Sequence, residues 1–243
     1  MTTSVRPAFY ALSTGRGGVR DWVTLLHPPY TAWHLAYVAI GAALAPTFAG
    51  WRLAGSLVAF FLAVGVAAHA LDELHGRPLR TGIPASLLTA ASVVGVVAPV
   101  VAGWMYGGLR LLPFIVAGAV IVVAYNLELA RGGLHNTAVF ALGWGAFPVL
   151  TGYYAQSFRL GWSAVVAAAA AVLLSVAQRE LSSFVRDLRR RTESVDGRII
   201  RADGTVEAVS RAELLRPTEA ALRAMAAAVV LFAVALVISR LVN

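Results

Sequence analysis

The densest chemistry in this chain lies in one run, His69-Ala-Leu-Asp72-Glu73-Leu-His75-Gly-Arg77-Pro-Leu-Arg80-Thr. Residues three apart share a helical face, so His69 projects with Asp72, and Asp72 with His75 if the helix continues. Carboxylates and imidazoles on one face suit a divalent cation. Arg77 and Arg80, just beyond, are placed to grip a diphosphate by bidentate hydrogen bonds. A second patch, Arg179-Glu180-Leu-Ser-Ser183-Phe-Val-Arg186-Asp187-Leu-Arg189, puts Glu180, Ser183 and Asp187 on one face at steps of three and four. The arginine-x-leucine-arginine run occurs in both patches, which reads as a degenerate internal repeat. Between them stand Tyr125-Asn126-Leu-Glu128, then Arg131, His135 and Asn136. Asn126 and Glu128 read as substrate-facing, and Asn136 reads equally as a helix cap.

The elements that must position these groups are membrane helices. The chain is 59% hydrophobic and only 13% charged, too apolar for a soluble domain of 243 residues. Seven apolar runs are long enough for a bilayer core about 30 Å thick. They fall at about 30–48, 53–71, 85–104, 109–127, 137–155, 160–179 and 218–241. Lipid offers the backbone no partners, so each is expected to be a helix. With the N-terminus in the cytoplasm, sixteen of the twenty arginines fall inside and four outside, and all twelve acids and five histidines share the inner side. The net charge of +8 is therefore a topology signal and not a nucleic-acid footprint.

Residues 1–26 are expected to form a cytoplasmic segment without a secretory signal, and residues 27–243 one transmembrane helical domain. Val19 to Leu26 reads as a weak amphipathic stretch on the inner surface. The loop 187–217 centres on a hairpin with an Asp203-Gly204 turn, which could cap the site. There is no cysteine, which excludes thiolate catalysis and cysteine-ligated metals.

Residues 22–192 resemble the UbiA superfamily of intramembrane prenyltransferases. The resemblance is carried by His27-Pro28-Pro29 opening the first span, Asp72 with Arg77-Pro78-Leu79 and Gly82-Ile83 after the second, Tyr125-Asn126 to His135-Asn136, and the acidic patch after the sixth. Against the family's asparagine-aspartate-rich first motif, Ala68, His69 and Gly76 stand where acids or asparagine belong, and the second motif is thinned. The family also has nine spans where seven are expected here.

The resemblance implies a UbiA-like bundle with an active site facing the cytoplasm in the cell membrane. Magnesium held by Asp72, Glu73, Glu180 and Asp187 would bind an isoprenyl diphosphate, with Arg77, Arg80, Arg186 and Arg189 neutralising the leaving group. His34, Tyr37, Asn126, Glu128, Trp144 and Tyr153 would line the substrate. Ionisation gives an allylic carbocation, captured by a membrane lipid or small lipophilic acceptor in a prenyltransferase, or by its own double bonds in a terpene cyclase. His69 and His75 beside carboxylates would suit iron, manganese or zinc, which leaves a transition-metal oxidoreductase open. A non-catalytic lipid-binding protein on the same scaffold is the remaining alternative.

Overall fold

The computed structural model describes residues 6–12, 15–129 and 131–242. The remaining residues of the N-terminal segment lie outside the described residues. The described residues form helices and one two-stranded hairpin, joined by loops. A short α1 (Val19–Leu25) precedes α2 (Pro28–Leu44), which begins at a proline pair suited to the first helical turn. Then come α3 (Gly50–Leu74), α4 (Ala85–Gly107), α5 (Leu112–Asn126), α6 (Thr137–Ser157) and α7 (Trp162–Arg191). Strands β1 (Arg198–Ile200) and β2 (Val206–Ala208) lead into α8 (Arg211–Val242). The Asn136 side chain caps α6 by accepting from the Val139 N–H at 2.9 Å.

Five helices, α3, α4, α6, α7 and α8, are long and apolar enough to cross a membrane; α5 is a shorter apolar helix. The 17-residue α2 is instead the buried centre of the bundle. The expected seven runs thus all form helices, and five of them have full spanning length. Large apolar side chains such as Val97, Leu173 and Leu231 stand exposed on the outer faces, as lipid contact demands.

The core forms where α2 meets α6, α7 and α8, around Trp33, Tyr37, Ile40, Val149, Ala168, Ala226 and Val229. Two glycines allow this approach. A Cβ at Gly41 would sit 2.0 Å from the Val149 carbonyl oxygen, and one at Gly152 would sit 2.2 Å from that of Val38. Small residues at a crossing let backbones touch, which supplies packing where lipid removes the hydrophobic drive.

Three helices contain π-helical stretches: 61–68 in α3, 141–146 in α6 and 187–191 in α7. Such stretches rotate the register of the downstream turns and recur near functional sites. Here the first ends immediately before His69, the second begins immediately after Phe140, and the third carries Arg190.

The loop joining α3 to α4 is pinned by two fully buried carboxylates. Glu73 accepts from the Leu79 N–H at 2.9 Å, the Thr81 N–H at 2.8 Å and the Thr81 hydroxyl at 2.8 Å. Asp21 on α1 accepts from the Gly17 N–H at 2.7 Å and the Gly82 N–H at 2.8 Å. The amphipathic stretch therefore forms a helix that clamps this loop. The hairpin also forms as expected, with Ile199 opposite Glu207, but every strand residue is exposed and its ion pair, Arg201 to Glu207, is internal.

Candidate functional site

At the arginine-rich end of the bundle, six segments converge. The start of α2 supplies His27, Tyr30 and His34, and the end of α3 supplies His69 and Asp72. Tyr125 closes α5, His135 precedes α6, and α7 supplies Arg179, Arg186 and Arg190. The N-terminal segment lies across them, with the Tyr10 ring 5.3 Å from His27 and 5.7 Å from Tyr30.

This segment is held by the arginines beneath it. Arg190 Nε donates to the Pro7 carbonyl at 3.1 Å, Arg189 Nη1 donates to the Arg6 carbonyl at 3.2 Å, and Arg223 lies 4.9 Å from the Phe9 ring centre. Leu12 N–H donates to the Thr24 hydroxyl at 2.8 Å, and Ala8 and Ala11 pack on Leu79. Burial pushes the Tyr10 hydroxyl far above its ordinary range, reinforced by Tyr30, so it stays protonated.

His27 and His69 stack with ring centres 4.0 Å apart and planes 11° from parallel. Two imidazolium rings could not rest that way. Burial first, then His69 and the guanidinium groups of Arg190 and Arg186, hold His27 well below the usual histidine range. Its Nε2 is buried without a hydrogen-bond partner among the described residues. His69 Nδ1 faces the Gly65 carbonyl at 3.1 Å and His34 Nδ1 faces that of Trp144 at 2.9 Å. Both Nδ1 atoms therefore carry the proton, because a carbonyl only accepts.

Asp72 faces this cluster, within electrostatic range of Arg190, Arg186 and His135. Its carboxylate forms no hydrogen bond or salt bridge among the described residues. Arg186 is held by the Ser182 hydroxyl at 3.0 Å and the Ser183 hydroxyl at 2.7 Å, with Arg179 and Arg190 in range on either side. Arg179 donates to the Tyr125 hydroxyl and lies 5.2 Å from the Phe140 ring centre.

The other expected site residues go elsewhere. Glu73 points into the loop, with both oxygens taken. Glu180 is exposed on the opposite face of α7, and Asp187 is exposed beside Arg191 at 3.5 Å. The inner face of α7 runs through Ser175, Gln178, Ser182 and Val185, which turns Glu180 and Asp187 outwards. Arg77 donates to the Thr81 and Ile83 carbonyls at 3.2 and 2.6 Å and so braces the loop, while Arg80 is exposed. Arg189 pairs with buried Glu219 at 2.5 Å, tying α7 to α8. Glu128 lies between His75 at 3.9 Å and His135 at 3.8 Å, and Asn126 bonds back to the Val122 carbonyl.

The four expected acids are thus not brought together. Among the described residues no three acids or histidines are grouped to hold a metal ion. One inward carboxylate among three guanidinium groups gives a net positive site, which repels a divalent cation and attracts an anion. Magnesium, which wants hard oxygen ligands, does not fit this set of donors. Nor do iron, manganese or zinc find their ligand group at His69 and His75, because His69 is stacked on His27 while His75 turns to Glu128.

Below the polar cluster an apolar cavity of about 230 Å³ runs between α3, α4, α5 and α6. Trp144, Ile121, Val122 and Val64 line one part of it, and Trp51, Arg52 and Tyr106 another. Trp144 joins it to the polar site, since its ring also lies 4.4 Å from Tyr125, the acceptor for Arg179. Tyr37 and Tyr153 do not line it: Tyr37 packs in the central core and Tyr153 against Ala45 and Ala164.

The motif reading passed over Tyr10, His27, Tyr30, Tyr125, Arg179 and Arg190 as site residues. Arg179, Arg186 and Arg190 were recoverable from their spacing of seven and four, which places them on one helical face. Tyr10 had no such signal, because only the folded strap carries it to the site.

The chain is 33% identical over 129 residues to the protein named protoheme IX farnesyltransferase from Frankia alni, a match covering 48% of this chain and 44% of that protein. The chain therefore matches less than half the length of that relative. No family model matches the chain, and no solved structure matches it.

Proposed function

We propose that this chain is an intramembrane prenyltransferase that takes an isoprenyl diphosphate, head to the arginine cluster and tail to the apolar cavity. The observation that carries this reading is the junction at Trp144, a wall of the apolar cavity whose ring packs against Tyr125, the residue that accepts from Arg179 of the cationic cluster. An amphiphile with an anionic head and a hydrocarbon tail matches that shape. The similarity to a protein named as a farnesyltransferase supports transfer over cyclisation.

In this reading α2 and α5 complete seven crossings, the N-terminus is cytoplasmic, and the site opens to the cytoplasmic face of the cell membrane. The bias of sixteen arginines to four supports that orientation. The C1–O bond breaks with its electron pair leaving on the diphosphate, whose charge Arg179, Arg186 and Arg190 stabilise. The allylic cation is captured by a lipophilic acceptor, and the acceptor's proton passes to Asp72, whose carboxylate has no ion-pair partner among the described residues. The aromatic walls exclude water from the cation.

The test is incubation of protein in lipid nanodiscs with geranyl, farnesyl and geranylgeranyl diphosphates, with and without a membrane lipid extract. Diphosphate release that needs the extract, together with a prenylated lipid by mass spectrometry, is the expected result. Release with a cyclic product and no acceptor would replace transfer by cyclisation. Tight binding without release would leave a lipid-binding protein.

A further inference from the structure

We propose that the polar site binds the diphosphate group directly through Arg179, Arg186 and Arg190, without a divalent metal bridge. The proposal rests on the prenyl diphosphate reading for the tail, but the anion site stands on its own geometry.

Three observations carry it. First, the carboxylates that would hold bridging ions are committed elsewhere: Glu73 to the Leu79 and Thr81 donors, Asp187 to Arg191 on the exposed side, and Glu180 to the outer face. Second, the arginines occupy the inward face instead. Ser182 and Ser183 fix the Arg186 head, Tyr125 fixes that of Arg179, and the Pro7 carbonyl takes Arg190 through Nε. None of these hydrogen-bond partners is an acid, so among the described residues the three guanidinium groups are positioned without a direct ion pair and the cluster keeps a net positive charge. Third, Asp72 makes no salt bridge to Arg186 or Arg190. A buried ion pair between them would have neutralised the site, and the separation keeps the guanidinium donors available to an anion.

Arginine suits the task. Its planar fork gives phosphate two parallel hydrogen bonds and stays charged when partly desolvated. Three such groups supply positive charge comparable to that of a dication on the leaving diphosphate. His27, whose Nε2 has no hydrogen-bond partner among the described residues, and Tyr10, 5.3 Å from it, add polar atoms within electrostatic range of Arg186 and Arg190.

The experiment is calorimetric titration of the whole detergent-solubilised protein with inorganic diphosphate, in excess chelator and again in excess magnesium. Binding in chelator, within about threefold of that with magnesium, is expected. Arg190→Gln should weaken it about tenfold, as should Arg179→Gln, which leaves the strap contacts in place. The sharpest arm is Asp72→Asn. Removing a negative charge from an arginine site tightens diphosphate binding, whereas removing a ligand from a metal-bridged site abolishes it. Binding that appears only with magnesium, that is lost in Asp72→Asn, or that is absent in both conditions overturns the proposal. Binding in chelator by a protein that turns over no prenyl diphosphate would refute the transfer reading and uphold the anion site.

Discussion

Glu73 is expected from the family resemblance to hold a metal ion at the reacting centre, yet it lies fully buried with its two oxygens accepting three hydrogen bonds from the loop after α3. Its replacement therefore tests structure against chemistry. In Glu73→Ala the Leu79 and Thr81 N–H groups lose their acceptor in a dry setting. At about 2 kcal/mol for each orphaned donor, the folded loop loses about 4 kcal/mol. Opening then becomes about a thousandfold more frequent, since 1.4 kcal/mol is a factor of ten. Glu73→Gln is milder: one oxygen still serves Thr81, but the amide NH₂ confronts the Leu79 N–H, a loss of about 1–3 kcal/mol. Both variants should melt earlier in detergent and be cleaved faster between Gly76 and Gly82 by a protease in limited amount. Below its melting temperature, Glu73→Gln should turn over prenyl diphosphate within a few-fold of the parent. A Glu73→Gln protein with unchanged melting and cleavage but no turnover would refute the assignment and return Glu73 to the reacting centre.

Gly152→Val pushes a side chain against the Val38 carbonyl, a Cβ contact of 2.2 Å, and should cost at least about 3 kcal/mol in thermal melts. Gly55→Ala, with nothing within 4 Å, is the control and should melt no earlier than the parent, since alanine favours the helix by up to about 1 kcal/mol. Acidification should destabilise the protein through His27, which faces Tyr10, His34, His69, Arg186 and Arg190. Its folded value is depressed, so below about pH 6.5 the unfolded chain binds the extra proton. Stability is complete above that pH and falls below it by up to about 1.4 kcal/mol per unit, and melts of His27→Phe should flatten the slope. Replacing residues 198–208 by a glycine-serine linker should leave both melting temperature and turnover unchanged, since the hairpin strands are exposed throughout. A loss of turnover there would make the hairpin a cap over the site.

Much of the architecture was written in local chemistry. Apolar runs at Gly50–Leu74 and Ala85–Gly107 have to be helices because hydrocarbon cannot satisfy a backbone, and the Asp203-Gly204 turn closes a hairpin on its own residues. The arginine bias and the position of Asp72 after the second long apolar run belong to the same class, being readable from composition and spacing. Which way a polar side chain points at a helix end was not. The motif spacing puts Glu180 and Asp187 on one face, and that inference holds, but the face turns out to be the exposed one. Nothing within α7 alone distinguishes it from the face bearing Arg179, Arg186 and Arg190. The choice is made by the packing of Ala168, Ala171 and Ser175 against α2 and α6. Likewise Glu73 and Asp72 are neighbours in sequence, and only the return of the loop to bury Glu73 separates a structural acid from an available one. The sequence by itself determined a helical membrane protein with cationic chemistry gathered at one end. Tertiary structure decided that the gathered site is a cluster of arginines roofed by Tyr10, because helix rotation and loop closure are settled by contacts between segments far apart in the chain.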